Sequence, residues 1–270
     1  MPPEKIGIIA GASQFPVLVA KEARASGHGV LVVGIQGEAT ESLRDVADEF
    51  HMVGLGELSK LIRIFNAAGV RRAIMAGKVQ HRSIFSSIKP DLKLVSVLMR
   101  LRQKNTDSII GAVAEVLDEE GIKLVDSTVF LKDLLAPKGN ITRARPTADE
   151  MKSVEYGIKI ARELTRLDLG QTVVVKAGAC VAVEAMEGTD ETIRRAAKLC
   201  GAGAVVVKLG KPAQDFRFDV PVCGLDTIDV MAHTRSRVLA IEAGRTLIFD
   251  KDRVVKRADK ESVAVIGVSP

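Results

Sequence analysis

The strongest constraint on this chain is the rhythm of its first half. "IGIIAG" (6–11), "GVLVVGI" (29–35), "RRAIMAGKV" (71–79) and "IKLVDS" (122–127) are short apolar runs. Helical patterns separate them: "FPVLVAKEARASG" (15–27), "ELSKLIRIFNAAG" (57–69, after "FHMVGL") and "DSIIGAVAEVLDEEG" (107–121). Strands that lack polar alternation are buried on both faces. With helices between them they predict a parallel sheet covered on both sides, a Rossmann-like unit.

The rhythm breaks at "LLAPKGNITRARPTADE" (134–150), which holds two Pro, one Gly and three cations without periodicity and reads as a linker. Thr147 and Glu150 form a capping-box pattern opening a helix over 148–166. The second half follows another grammar. "QTVVVKAGACVAVEA" (171–185) predicts two strands about an Ala177-Gly178 turn, "TDETIRRAAKLCG" (189–201) a capped helix, "AVVVKL" (204–209) a strand and "VLAIEAGRTLIFD" (238–250) a hairpin. The fold class is therefore α/β: an N-terminal Rossmann-like parallel-sheet domain (1–134), a linker (135–147) and a C-terminal α+β, or mixed α/β, domain (148–270).

Composition removes several function classes. Aromatics are 3% of the 270 residues, with no Trp and one Tyr, which argues against base-stacking nucleic-acid binders. The net charge of +5 suits an anionic small molecule or an anionic membrane surface as easily as nucleic acid. Cys180, Cys200 and Cys223, with His28, His51, His81 and His233, show no zinc-type spacing, so a reducing cytoplasm is expected. No apolar run reaches transmembrane length, and no signal-peptide pattern is visible.

Four places carry candidate chemistry. "IGIIAGASQFP" sets Gly11, Ala12 and Ser13 where a strand gives way to a helix, and backbone N–H groups and the helix dipole can hold phosphate there. It is not G-x-G-x-x-G, and Gln36 stands where a ribose-binding acid would end the second strand, which leaves a ligand-free tight turn as the alternative. In "AGKVQHR" Lys78 ends a strand on the edge that faces ligands in open α/β sheets, or is simply solvated; His81 reads as a surface histidine. "VEAMEGTDETI" brings Glu184, Glu187 and Asp190 to a strand–helix junction with Thr189 as the expected N-cap. These acids either complement the helix dipole or hold a hard cation such as Mg²⁺. Finally, "VVVKLGKPAQDFRFDVPVCG" (205–224) crowds Lys208, Lys211, Asp215, Arg217 and Asp219 behind a buried strand. Alternation would place Asp215, Arg217 and Asp219 on one side and the two Phe on the other. Either this is a surface ladder, or it gathers a polyanion and a divalent cation. Asp226, just downstream, reads most simply as an N-cap.

As a set, "IAGASQFP", "MAGKV", "VVVKAGACVAVEAMEGTDETI" and "VVVKLGKPAQDFRFDVPVCGLDTI" resemble the LpxI family, the UDP-2,3-diacylglucosamine pyrophosphatases of lipid A biosynthesis. The likeness runs from 6 to 268, and the C-terminal blocks are its more specific part; the family usually has a second glycine where this chain has Ser13. The resemblance implies a Mg²⁺-dependent hydrolase, with Mn²⁺ as an alternative ion. It would split UDP-2,3-diacylglucosamine to UMP and 2,3-diacylglucosamine 1-phosphate (lipid X), with the lipid held between an N-terminal Rossmann-like and a C-terminal domain. It also implies an essential aspartate, best matched by Asp219, with Asp226 as fallback. The expected catalytic set is Asp219, Lys208 and Arg217. The expected substrate contacts are Gly11, Ala12, Ser13, Lys78, Lys176, Thr189, Lys211 and Gln214, and the expected metal ligands are Asp219, Glu187, Asp190 and Asp226. The amphipathic "SIKPDLKLVSVLMRLRQK" (87–104) would line the acyl pocket, touch the inner membrane surface, or face the core or a homodimer partner. No nucleic-acid partner is expected. Two rivals stand beside this reading. A nicotinamide-dependent oxidoreductase would purify with cofactor, and a non-enzymatic sugar-nucleotide or lipid binder would bind without turnover.

Overall fold

A computed structural model describes residues 3–79, 90–101 and 106–269, so His81 and the ends of 87–104 lie outside the described residues. The chain forms two compact units, residues 1–131 with 215–218, and residues 132–214 with 219–270.

The first unit holds the predicted parallel sheet. Strands β1 (Lys5–Ala10), β2 (Gly29–Ile35), β3 (Glu49–Val53), β4 (Arg72–Ala76) and β5 (Lys123–Leu124) lie in the order β3-β2-β1-β4-β5, all parallel. The helices are α1 (Phe15–Ala25), α2 (Leu58–Ala67), α3 (Leu92–Arg100) and α4 (Thr106–Glu119). Burial of residues 6–10 and 30–35 on both faces follows from that cover and explains the unbroken apolar runs. Gly7 is required by packing: a Cβ there would lie 2.8 Å from Phe65 Cζ, so glycine lets the fully buried Phe65 ring of α2 lie against β1. Burial of that ring contributes about 2–3 kcal/mol. Residues 215–218 belong to this unit through Ser127, whose N–H donates to Phe216 O at 2.8 Å and whose hydroxyl sits 2.8 Å from Arg217 O.

The second unit is built on a six-stranded mixed sheet. Its strands are β6 (Gly139–Asn140), β7 (Thr172–Lys176), β8 (Ala179–Val183), β9 (Val205–Lys208), β11 (Val238–Glu242) and β13 (Ala264–Val268), in the order β6-β13-β11-β9-β7-β8. β9, β11 and β13 are parallel, and β6, β7 and β8 run antiparallel to their neighbours. Helix α5 (Ala148–Arg166) packs one face through Val154, Ala161 and Leu164. Helices α6 (Thr189–Cys200), α7 (Leu225–Thr234) and α8 (Lys251–Lys260) pack the other through Ile193, Ile228, Met231 and Val254. The capping box of Thr147 and Glu150 forms, and the β7–β8 turn uses positive φ at Ala177 and Gly178, both as the sequence predicts.

Three local expectations are corrected. Residues 135–147, read as a linker, supply β6, which pairs with β13; Ala136 N–H also donates to Thr246 O at 2.8 Å. The 238–250 hairpin does not form. β11 joins the large sheet, while β12 (Leu247–Ile248) pairs in parallel with β10 (Val222–Cys223), because the turn at Gly244 directs the chain away from the sheet. The strand-like alternation of 215–219 is absent too. Phe218 N–H donates to Asp215 O at 3.2 Å, closing a turn, so side-chain alternation does not apply there.

Candidate functional site

Lys208 marks the candidate edge of the second sheet. It ends β9, and its register partners are Ile241 near the end of β11 and Thr172 at the start of antiparallel β7. The carboxyl ends of the parallel strands therefore share one edge with the start of β7 and the end of β8, and ligands gather at such edges in α/β sheets. Glu184 follows β8 there, its N–H bonded to Thr172 O at 2.8 Å. Lys208 Nζ donates to Thr189 Oγ1 and to Val222 O, both at 3.1 Å. Thr189 Oγ1 lies 3.1 Å from Thr172 Oγ1 and donates to Glu184 Oε1 at 3.3 Å. Thr189 is the first residue of α6 and not its cap; Gly188, at φ 84°, takes the cap position.

Two helix N-termini meet at this edge. Asp190 in the first turn of α6 accepts from Thr227 Oγ1 of α7 at 2.9 Å. Asp226 is in the first turn of α7, whose cap is Gly224, so the N-cap reading of Asp226 is corrected by two residues. Asp190 and Asp226 line a groove with Arg194, Asp229 and His233. Cys223 is buried beneath the same region, and burial pushes its thiol up to about 11, which disfavours the thiolate near neutral pH.

The loop after β9 carries the remaining candidates. Lys211 Nζ pairs with Asp168 Oδ1 at 2.7 Å and reaches Asp219 Oδ2 at 3.8 Å. The loop is braced from inside: Gln214 Oε1 accepts from Lys211 N–H at 2.6 Å, and its Nε2 donates to Asp219 O at 2.9 Å. Glu242, Arg245 and Asp168 also join this loop, and sequence reasoning missed them. Glu242 becomes visible as a site-edge residue only once β11 is known to lie parallel to β9, which the hairpin reading hides.

Other expected residues lie elsewhere. Lys176 is at the opposite end of β7 from the Lys208 register, about 13 Å away at the strand rise. Its ammonium donates to Ala202 O. Arg217 belongs to the first unit, where it forms a two-pronged pair with Asp215 at 2.6 and 3.0 Å; that pair holds the Asp215 carboxyl below its usual range. Glu187 is committed to its own segment. It accepts from Ala185 N–H at 3.1 Å, Arg195 Nη2 at 2.5 Å and Thr192 Oγ1 at 3.3 Å. Backbone amide donation and the Arg195 guanidinium lower its pKa to about 2. The four expected metal ligands do not converge, and among the described residues no three His, Cys, Asp or Glu side chains are placed to hold an ion.

In the first unit, Gly11, Ala12 and Lys78 do meet, at the carboxyl ends of β1 and β4, but through their backbones. Gly11 N–H donates to Ala76 O at 2.8 Å, Ala12 N–H to Lys78 O at 2.7 Å, and Lys78 N–H to Ala12 O at 2.9 Å. A Cβ on Gly11 would stand 2.5 Å from Lys78 O, so this glycine serves backbone approach. The Gly11 and Ala12 amides, two of those expected to cradle phosphate, are taken. Ser13 sits at φ 97°, a conformation natural to glycine, and its hydroxyl accepts from Phe15 N–H at 3.3 Å.

Comparison with known proteins agrees along the whole chain. Residues 5–134 match the LpxI N-terminal domain and residues 137–266 the LpxI C-terminal domain. The UDP-2,3-diacylglucosamine pyrophosphatase LpxI of Caulobacter vibrioides is 33% identical over 98% of this chain and 98% of its own length. Among solved structures, a multifunctional pyruvate carboxylase from Rhizobium etli is 16% identical, with TM-score 0.30 over 63% of this chain and 13% of its own. An ADP complex of N5-carboxyaminoimidazole ribonucleotide synthetase is 14% identical, with TM-score 0.29 over 73% and 45%. At those scores neither bears on function.

Proposed function

The chain belongs to the LpxI family, and from that premise we propose that it hydrolyses the pyrophosphate of UDP-2,3-diacylglucosamine to UMP and 2,3-diacylglucosamine 1-phosphate. The observation that carries the reading at residue level is the loop after β9. It holds Lys211 between Asp168 and Asp219, next to a Lys208 anchored at the sheet edge. In the reaction, water adds to one phosphorus, the bond from that phosphorus to the bridging oxygen breaks, and the bridging oxygen leaves with the other phosphate. Lys208 and Lys211 neutralise phosphate oxygens as charge moves to the leaving group. Asp219 orients the attacking water and takes its proton.

Activity is proposed to require Mg²⁺, with Mn²⁺ as a substitute. A Mg²⁺ ion bound chiefly by substrate phosphates and water needs one or two protein carboxylates, not a preassembled cluster. Asp219 is the carboxylate on the loop for that place, and the ion would add charge neutralisation there. Glu187 does not fit, because its oxygens already serve protein donors. For the lipid, we infer membrane-surface contact through α3. Its Leu92 and Met99, seven residues apart on one helical face, are 90% and 81% exposed. No helix among the described residues is long and apolar enough to cross a membrane.

The test is UMP release from UDP-2,3-diacylglucosamine, followed by chromatography with Mg²⁺ and with EDTA. Metal-dependent release that is lost in Asp219→Ala is the expected result. Binding of substrate with no UMP under any divalent cation would make the protein a binding module instead.

A further inference from the structure

Resting on that reading of the loop, we propose that Gln214 and Glu242 are positioning residues. They hold residues 209–221 in the shape that sets Lys211 against Asp219, and neither binds substrate.

Both side chains are buried, Gln214 at 9% and Glu242 at 7% exposure. Gln214 has both ends of its amide occupied within the loop, accepting from Lys211 N–H and donating to Asp219 O. It thus ties together the two residues on which the proposed chemistry rests, from a side chain that is itself buried. Glu242 works from the strand side. Ending β11, it accepts from Gly210 N–H at 2.9 Å and pairs with Arg245 Nε at 3.5 Å. Arg245 in turn donates through Nη2 to Lys211 O at 3.1 Å. Gln214 and Glu242 converge on Gly210, where a Cβ would stand 3.3 Å from Gln214 Oε1, 3.4 Å from Glu242 Oε2 and 3.3 Å from Pro221 Cγ.

A buried carboxylate is costly to keep. Both oxygens of Glu242 already face protein groups, Oε2 the Gly210 N–H and Oε1 the Arg245 guanidinium. Its neighbours say what it does. The ends of the loop are already tied down, by Leu209 N–H to Gln171 O, just before β7, at 3.0 Å and by Leu247 N–H of β12 to Pro221 O at 2.9 Å. Between those ties the loop has no regular structure, and Gln214 and Glu242 supply internal bonds that a strand ladder would otherwise provide.

Hydrogen exchange of peptides covering 209–221, together with steady-state kinetics on UDP-2,3-diacylglucosamine, tests this in Gln214→Ala, Glu242→Ala and Glu242→Gln. A misplaced catalytic group can cost up to about 10²-fold, so Gln214→Ala and Glu242→Ala should each lower kcat by about tenfold or more with KM within about twofold. Exchange should accelerate in 209–221 while β9 and β11 peptides stay protected. Glu242→Gln keeps an acceptor for Gly210 N–H and should stay within about threefold of wild type, a rescue that general destabilisation would not produce. Unchanged kcat and exchange in both alanine variants would overturn the proposal. So would a rise in KM alone, which would make these residues substrate ligands. If Glu242→Ala does not fold, Arg245→Ala applies the same two readouts from a half-exposed position. If wild type releases no UMP, the hydrolase reading falls, while the exchange data still decide whether these side chains hold the loop.

Discussion

Each unit has a loop at the carboxyl edge of its sheet where small residues meet a lysine, and the two loops use their atoms in opposite ways. In the first unit, Gly11, Ala12 and Lys78 bond to each other and to Ala76 through backbone groups, which closes the junction of β1 and β4. In the second, residues 209–214 and 219–221 are held from within by buried side chains, and Lys208, Lys211 and Asp219 share the edge. A glycine where a strand ends can mean that a ligand approaches or that another strand does. The destination of the neighbouring N–H groups separates the two meanings.

The comparison is sharpest in the lysines. A hydrogen bond to a charged group is worth about 1.5–3 kcal/mol, so Lys208→Ala and Lys211→Ala should each lower kcat/KM about 10- to 150-fold. Lys78 is exposed, and Lys78→Ala should change kcat/KM less than about fivefold, the scale of a solvated charge. Initial rates of UMP formation measure all three. A Lys78→Ala defect as deep as that of Lys211→Ala would make the first loop a ligand site after all and end the contrast.

A smaller effect separates the loops by stability. Alanine at Gly11 would push a Cβ to 2.5 Å from Lys78 O and 2.9 Å from Lys78 C, backbone atoms that cannot swing aside. Overpacking of this kind costs about 1–3 kcal/mol, or several degrees of Tm in a domain of this size. The expected signature of Gly11→Ala is a lowered calorimetric Tm with KM for the substrate unchanged. Raised KM at normal Tm would instead return Gly11 to the binding role its sequence context suggests.

These contrasts also explain what could be read in advance. The first unit was legible because its strands are buried on both faces, and continuous apolar runs such as 30–35 leave little choice but a covered parallel sheet. The Thr147–Glu150 box and the Ala177-Gly178 turn were legible because their bonding is local. The loop after β9 stood out by charge alone, yet the partners of its charges could not be read. Arg217 looked like a neighbour of Lys208 in sequence, but its segment closes a turn and packs with Ser127 of the first unit. Lys176 and Lys208 look equivalent as strand-end lysines, and only the antiparallel pairing of β7 with β9 puts them at opposite edges. Glu242 was hidden for the same reason: which edge a strand end occupies is a property of pairing between distant segments.

Glu187 gives the smallest effect and the most direct check on the acids before α6. If it braces its own segment, its contribution to stability follows its ionisation and not the presence of a metal. Donation from backbone amides and the Arg195 guanidinium depress its pKa from 4.5 to about 2 in the folded state. A carboxyl depressed on folding stabilises the fold fully above its unfolded pKa, and that contribution is lost as pH falls through the folded value. The difference in Tm between wild type and Glu187→Gln should therefore be constant above about pH 5. It should shrink between about 4.5 and 2 and vanish below that window, with EDTA making no difference. A difference that depended on Mg²⁺ at neutral pH would place Glu187 among the metal's ligands, and the acids before α6 would then belong to the chemistry of the second loop.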